Sequence, residues 1–91
     1  MATERDQTPF VSIIIPVYND NKFLQICLTA LEKQTYAKEQ YEIIVVDNNS
    51  QEDVSTVVDN FERVRLAHES KPGSYIARNT GVAIANGEVI D

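Results

Sequence analysis

Four consecutive β-branched residues, Ile43, Ile44, Val45 and Val46, run straight into an acid, Asp47. An apolar run of that kind is expected for a strand covered on both faces, which calls for helices on either side of a sheet. Asp47 stands where such a strand meets solvent. Asn48, Asn49 and Ser50 behind it favour a turn or a helix cap. In open α/β sheets, ligands bind beyond the carboxyl ends of the strands. An acid at that point is placed to accept hydrogen bonds from a ribose hydroxyl or a base N–H.

The rest of the chain repeats this alternation. Residues 10–18 read as a first strand with Val11, Ile13, Ile14 and Ile15 as its buried part, and Pro16 predicts that pairing ends or bulges there. A helix follows over 22–34, capped by Asp20 or Asn21, with Phe23, Ile26, Cys27, Ala30 and Leu31 as its apolar stripe and Leu24 and Leu28 widening it. After the second strand, Ser50 and Asp53 form a weak capping box. The helix they open carries Val54, Val57, Val58 and Phe61 at i, i+3, i+4, i+7. Residues 63–67 are a third, less apolar strand, expected near a sheet edge. A helix over 74–85 has Ile76, Thr80, Ala83 and Ile84 on one side, Ala77 and Gly81 for close packing, and a left-handed stop at Asn86 and Gly87. Residues 88–91 open a fourth strand. The order βαβαβαβ predicts an α/β chain with a Rossmann-like parallel sheet, flanking helices and right-handed crossovers. Residues 1–9 read as a flexible arm and 10–91 as one unit, incomplete at its C-terminus.

Charge narrows the ligand classes. The net charge is −6, from 14 acids against 8 bases, without the basic patch expected of a nucleic-acid binder. A phosphate ligand would therefore need locally placed cations or a metal. Cys27 is the single cysteine and cannot make an internal disulfide; it reads as a small core residue in a reducing compartment. No apolar run approaches membrane-spanning length and the N-terminus lacks an apolar signal segment, so a cytoplasmic location is expected.

Two loops carry the chemistry. The first βα loop, PVYND, has no glycine, whereas a dinucleotide fingerprint would place G-x-G-x-x-G there. It is too bulky to press backbone against a pyrophosphate. A planar group fits better against Pro16 and Tyr18, its edge read by backbone. The second loop holds Lys71, Pro72, Gly73 and Ser74, with Arg78 one helical turn on. A helix N-terminus attracts anions, and Arg makes forked contacts with phosphate or ribose oxygens. His68 stands without a second His or a Cys nearby, and Asp20, Asp47 and Asp53 are not spaced to fix a metal. No Ser/His/Asp, H-E-x-x-H or C-x-x-C arrangement is visible.

Taken together, VSIIIPVYND, the QTY at 34–36, EIIVVDNNS and GSYIARNTGVAIANGEVI resemble the N-terminal half of family 2 glycosyltransferases, which have the GT-A fold. The resemblance runs from Val11 to Asp91. It implies an enzyme that transfers a sugar from a nucleotide-diphosphate donor, commonly a UDP-sugar, to an acceptor hydroxyl. It implies that Pro16, Val17 and Tyr18 line the base pocket, with Asp20 where the family has Glu. Asp47 would accept from base or ribose. Asn48 and Asn49 replace the second Asp and the Gly of a D-D-G-S turn, Asn49 tolerating positive φ, and Ser50 caps the next helix. Gly73 and Arg78 would lie near the ribose or diphosphate. The D-x-D motif for a divalent metal (Mn or Mg) and the catalytic base would lie beyond Asp91, so no catalytic or metal residue is expected within this stretch, and alone it should be inactive. The full-length enzyme could associate with the inner face of the membrane.

Two other readings compete. One is a receiver-like signalling module with Asp47 as phosphoacceptor; it wants a pair of acids after the first strand, where only Asp20 stands. The other is a non-catalytic domain that self-associates as a homodimer through the exposed edge at residues 88–91.

Overall fold

The computed structural model describes residues 9–34 and 36–90. The expected arm over 1–8, Thr35 of the QTY block and Asp91 lie outside the described residues. The elements are β1 (Val11–Val17), α1 (Asn21–Glu32), a 3-10 turn (Lys38–Gln40), β2 (Tyr41–Asp47), α2 (Ser55–Val58), β3 (Val64–His68), α3 (Ser74–Ile84) and β4 (Glu88–Ile90). The four strands form one parallel sheet in the order β3-β2-β1-β4, with β3 at an edge as its composition predicted.

β2 is the spine. Every one of its residues is buried, and alternate side chains feed two cores. Tyr41, Ile43 and Val45 pack with Val17, with Leu24 and Leu28 of α1, and with Val54, Val57 and Val58 around α2. Ile44 and Val46 pack with Ile14 and Ala77 on the opposite face, under α3. Gly81 lets α3 press down there: a Cβ on it would lie 2.6 Å from Ile14 Cγ2.

Four expectations need correction. β1 does not stop or bulge at Pro16, which stays in register with Val46. The Val17 carbonyl accepts from Asn48 N–H on the β2 side, so the backbone polar groups of Pro16 face the other edge. There the described part of β4 pairs with Val11 to Ile13, so Pro16 interrupts no hydrogen bond among the described residues. On α1, the buried stripe is Leu24 and Leu28, backed by Leu31, while Phe23 and Ile26 are exposed at 55% and 59% and Cys27 is half-buried. Neighbouring helix residues point about 100° apart, so only one of the two candidate stripes can face the sheet. The leucines win it.

α2 is a single turn. Its surroundings close with three-residue backbone bonds (Thr56 to Asp53, Val57 to Val54, Asn60 to Val57), as suits a Val- and Thr-rich stretch with weak helix preference. Ser50 does not cap it; Asp53 Oδ1 accepts from Ser55 N–H at 3.1 Å instead. Finally, α3 ends without a left-handed residue. Ala85 turns extended (φ −69°, ψ 141°), and among the described glycines only Gly73 has positive φ. Gly87 is small for another reason: a Cβ there would sit 2.3 Å from the Phe10 carbonyl oxygen.

Candidate functional site

The carboxyl ends of β1 and β2 run into two asparagine-rich loops that are fastened to each other. Asn19 and Asn49 hold left-handed backbone (φ 51° and 67°), a conformation Asn accepts more readily than most residues. Asn19 N–H donates to Ser50 Oγ at 2.8 Å, and Asn19 Oδ1 accepts Gln51 N–H at 2.7 Å. Asn21 N–H donates to Glu52 Oε1 at 2.9 Å, and Asn21 Nδ2 to the Asp53 carbonyl at 3.1 Å. Asp20 caps α1 by accepting Phe23 N–H at 3.2 Å.

Asp47 closes its own turn. Its Oδ1 accepts Ser50 N–H at 2.8 Å, and Oδ2 lies 3.5 Å from His68 Nδ1; the residue is 8% exposed. A carboxylate so enclosed is poorly placed as a phosphoacceptor, and the receiver-like reading loses its central residue. Asn48 reaches the other way, into the loop between β3 and α3. Nδ2 donates to the carbonyls of Glu69 and Lys71, and Oδ1 accepts Gly73 N–H. Glu69 braces that loop from behind: it accepts from Thr80 Oγ1 of α3 and from Lys71 N–H. Those donors, Thr80 foremost, hold the Glu69 carboxyl below the usual range.

These three segments enclose a hollow of about 630 Å³. Pro16, Val17 and Tyr18 form one wall. Asn48, Asn49, Ser50 and Gln51 form the floor, and Ser70, Pro72, Gly73 and Ser74 the far wall. The volume lies within the range of small-molecule sites. Two prolines and an exposed tyrosine offer flat apolar surface for a planar ring. The hydroxyls of Ser50, Ser70 and Ser74 offer polar contacts. No side chain caps α3 at Gly73, so its first N–H groups and dipole border the hollow as an anion-favouring end.

Of the residues singled out from the sequence, Pro16, Val17, Tyr18, Asn49 and Gly73 line the hollow. Asp47 does not line it, and its carboxylate is committed to the turn. Asp20 is committed to the α1 cap. Arg78 sits four residues into α3, half-buried, and does not line the hollow. Sequence reasoning overlooked Gln51, Ser70 and the side-chain role of Asn48. Nothing in a run of three polar residues after a strand tells which one turns inward. Among the described residues, no three His, Cys, Asp or Glu side chains cluster as a metal site requires. Also among the described residues, no helix is long and apolar enough to cross a membrane.

Residues 12–90 match the family model described as Glycosyl transferase family 2. The chain is 46% identical over 89 residues to the glycosyltransferase AglE of Haloferax volcanii, covering 90% of this chain and 29% of that protein. Among solved structures it matches the mannosyltransferase PcManGT from Pyrobaculum calidifontis, in complex with GDP-Man and Mn2+, at a TM-score of 0.81 and 28% identity. That match covers 89% of this chain and 26% of the other. TarS of S. aureus in complex with UDP matches equally well, with a TM-score of 0.81, 28% identity, and 88% and 25% covered. The chain thus spans under a third of the length of these proteins.

Proposed function

The chain belongs to glycosyl transferase family 2 and has the N-terminal α/β architecture of a GT-A fold, and from that premise we propose that it is the part of a sugar transferase that holds the nucleotide of an activated donor. The observation that carries the reading is the hollow between the β1 tip, the β2 turn and the start of α3. The base stacks at Pro16 and Tyr18. Ribose hydroxyls meet the polar floor around Asn49 and Ser50. The diphosphate lies toward Gly73 and the uncapped start of α3, where backbone N–H groups add a positive end to an acidic chain.

UDP is the nucleotide we expect, since TarS is bound to UDP; the GDP-Man complex of PcManGT makes GDP the competitor. In the full-length enzyme the donor sugar passes to an acceptor hydroxyl, whose proton a general base removes. We place neither that base nor the ligands of a divalent cation among the described residues, where no three His, Cys, Asp or Glu side chains cluster. This stretch alone is inactive in sugar transfer, and transfer by it would contradict the reading. Cytoplasmic placement belongs to the same proposal. Pairing of two copies along β4 is a separate one, which a monomer in sedimentation at high concentration would remove.

The test is a binding panel on this chain: UDP, GDP, CDP and ADP, with and without manganese, followed by thermal unfolding and calorimetry. A nucleotide at a hundredfold excess over its Kd adds about 2.7 kcal/mol of stability. If none of the four raises the melting temperature at millimolar concentration, the reading fails.

A further inference from the structure

Asn48 stands at the tip of β2 with 6% of its surface exposed. All its side-chain hydrogen bonds go to one short stretch of backbone. Nδ2 donates to the Glu69 carbonyl at 3.0 Å and to the Lys71 carbonyl at 2.7 Å; Oδ1 accepts Gly73 N–H at 3.1 Å. Its own N–H donates to the Val17 carbonyl at 2.8 Å. One residue of the floor therefore joins both walls of the hollow. The stretch it grips ends at Gly73, whose φ of 123° is a backbone state that L side chains rarely adopt.

An aspartate, the residue that the D-D-G-S turn carries at this place, would not make the same three bonds. A carboxylate has no donor, and its oxygens would face the Glu69 and Lys71 carbonyls. Nor does the Asn48 side chain keep a donor for a ligand: both Nδ2 hydrogens are engaged, and Oδ1, which accepts from Gly73, has one lone pair left.

We propose that Asn48 is a positioning residue: its amide fastens the 69–73 loop to the strand tips and so holds Pro72, Gly73 and Ser74 in place as the far wall of the hollow. It acts on the ligand through that wall, with no side-chain N–H left to donate to a base edge. What the hollow holds rests on the nucleotide reading above; the fastening does not.

Two variants of the chain test it by amide exchange and UDP titration. Asn48→Ala removes all three side-chain bonds. Asn48→Asp keeps an acceptor for Gly73 and removes only the two donations. In Asn48→Ala the Gly73 amide exchanges at least about tenfold faster while the Ile43–Val46 amides keep their protection, which separates local release from unfolding. Both variants bind UDP about tenfold more weakly, and any other nucleoside diphosphate that the native chain binds loses affinity by the same factor. Unchanged Gly73 exchange in Asn48→Ala would overturn the proposal. So would native UDP affinity in Asn48→Asp, or a loss confined to one base. If the native chain binds no nucleotide but Gly73 is released in Asn48→Ala, the nucleotide reading fails and the fastening stands.

Discussion

The two ends of the sheet treat polar groups in opposite ways. At the amino end, the polar pair Ser12 and Glu42 sits between the strands in a closed network. Ser12 Oγ donates to Glu42 Oε2 at 2.6 Å and accepts Gly87 N–H at 2.9 Å. Asn86 N–H donates to the same carboxylate oxygen at 2.7 Å. Arg65 donates to Glu42 Oε1 at 3.0 Å and to the Ile84 carbonyl. Three strands and the α3–β4 turn are stitched through one carboxylate. At the carboxyl end, polar side chains are more numerous, and they bond around a space instead of filling it. The difference teaches that buried polarity here has two separate uses. One end fixes strand register and the docking of the α3–β4 turn; the other keeps three loops apart at a set distance.

Breaking the closed end has the largest expected effect. Glu42→Ala takes the acceptor from Ser12 and the Asn86 N–H, leaves Arg65 the Ile84 carbonyl alone, and costs about 3 kcal/mol in urea unfolding, moderated by the half-open position of Arg65. Nucleotide affinity of the molecules that remain folded stays unchanged; a loss there would mean the two ends are coupled. Tyr18→Ala is the reverse case. Tyr18 is 62% exposed, so stability moves by less than about 0.5 kcal/mol, while UDP affinity falls about tenfold, or about 1.4 kcal/mol.

Acid sharpens the contrast further. Burial alone would push the Glu42 carboxyl up, but hydrogen bonds from Ser12, Asn86 N–H and Arg65, with the Arg65 charge, outweigh it and hold the carboxyl below its usual range. A carboxyl lowered in the fold adds stability above its unfolded pKa, and that stability fades as pH falls through the folded value. Glu42→Gln therefore flattens the acidic limb of the stability profile. Glu69→Gln, at the more exposed carboxyl end, changes that limb less. The smallest effect is Ile26→Ser on the outer face of α1, within about 0.5 kcal/mol despite replacing a large apolar residue.

That last variant also marks where the sequence stops being readable. Strand positions were legible because β-branched runs at this length have few other uses, and β3 was rightly placed at an edge by its weaker run. Which side of α1 turns inward was not, because two apolar stripes lie one residue apart and only the sheet beneath chooses between them. Single polar residues at matched points of two parallel strands, Ser12 and Glu42, were a signal of the closed network that strand-by-strand reading passed over. At the hollow, Pro16 and Tyr18 announced themselves by bulk in a loop without glycine. Asn48 did not, because its partners lie 21 to 25 residues away and no local pattern encodes them.

The glycine in the middle of α3 has a mechanical consequence. Ala77, fully enclosed against Ile44 and Val46, acts as the fulcrum of that helix, and Gly81 is the thin point where the beam rests on Ile14. Carbon atoms settle about 3.5–4.0 Å apart, so a methyl at position 81 would lift that side by roughly 1 Å. The beam would then rock, and its opposite tip at Ser74, about 10 Å along the axis from residue 81, would dip or swing relative to the strands. A contact with no polar atom in it thus trims the height of the anion-favouring end.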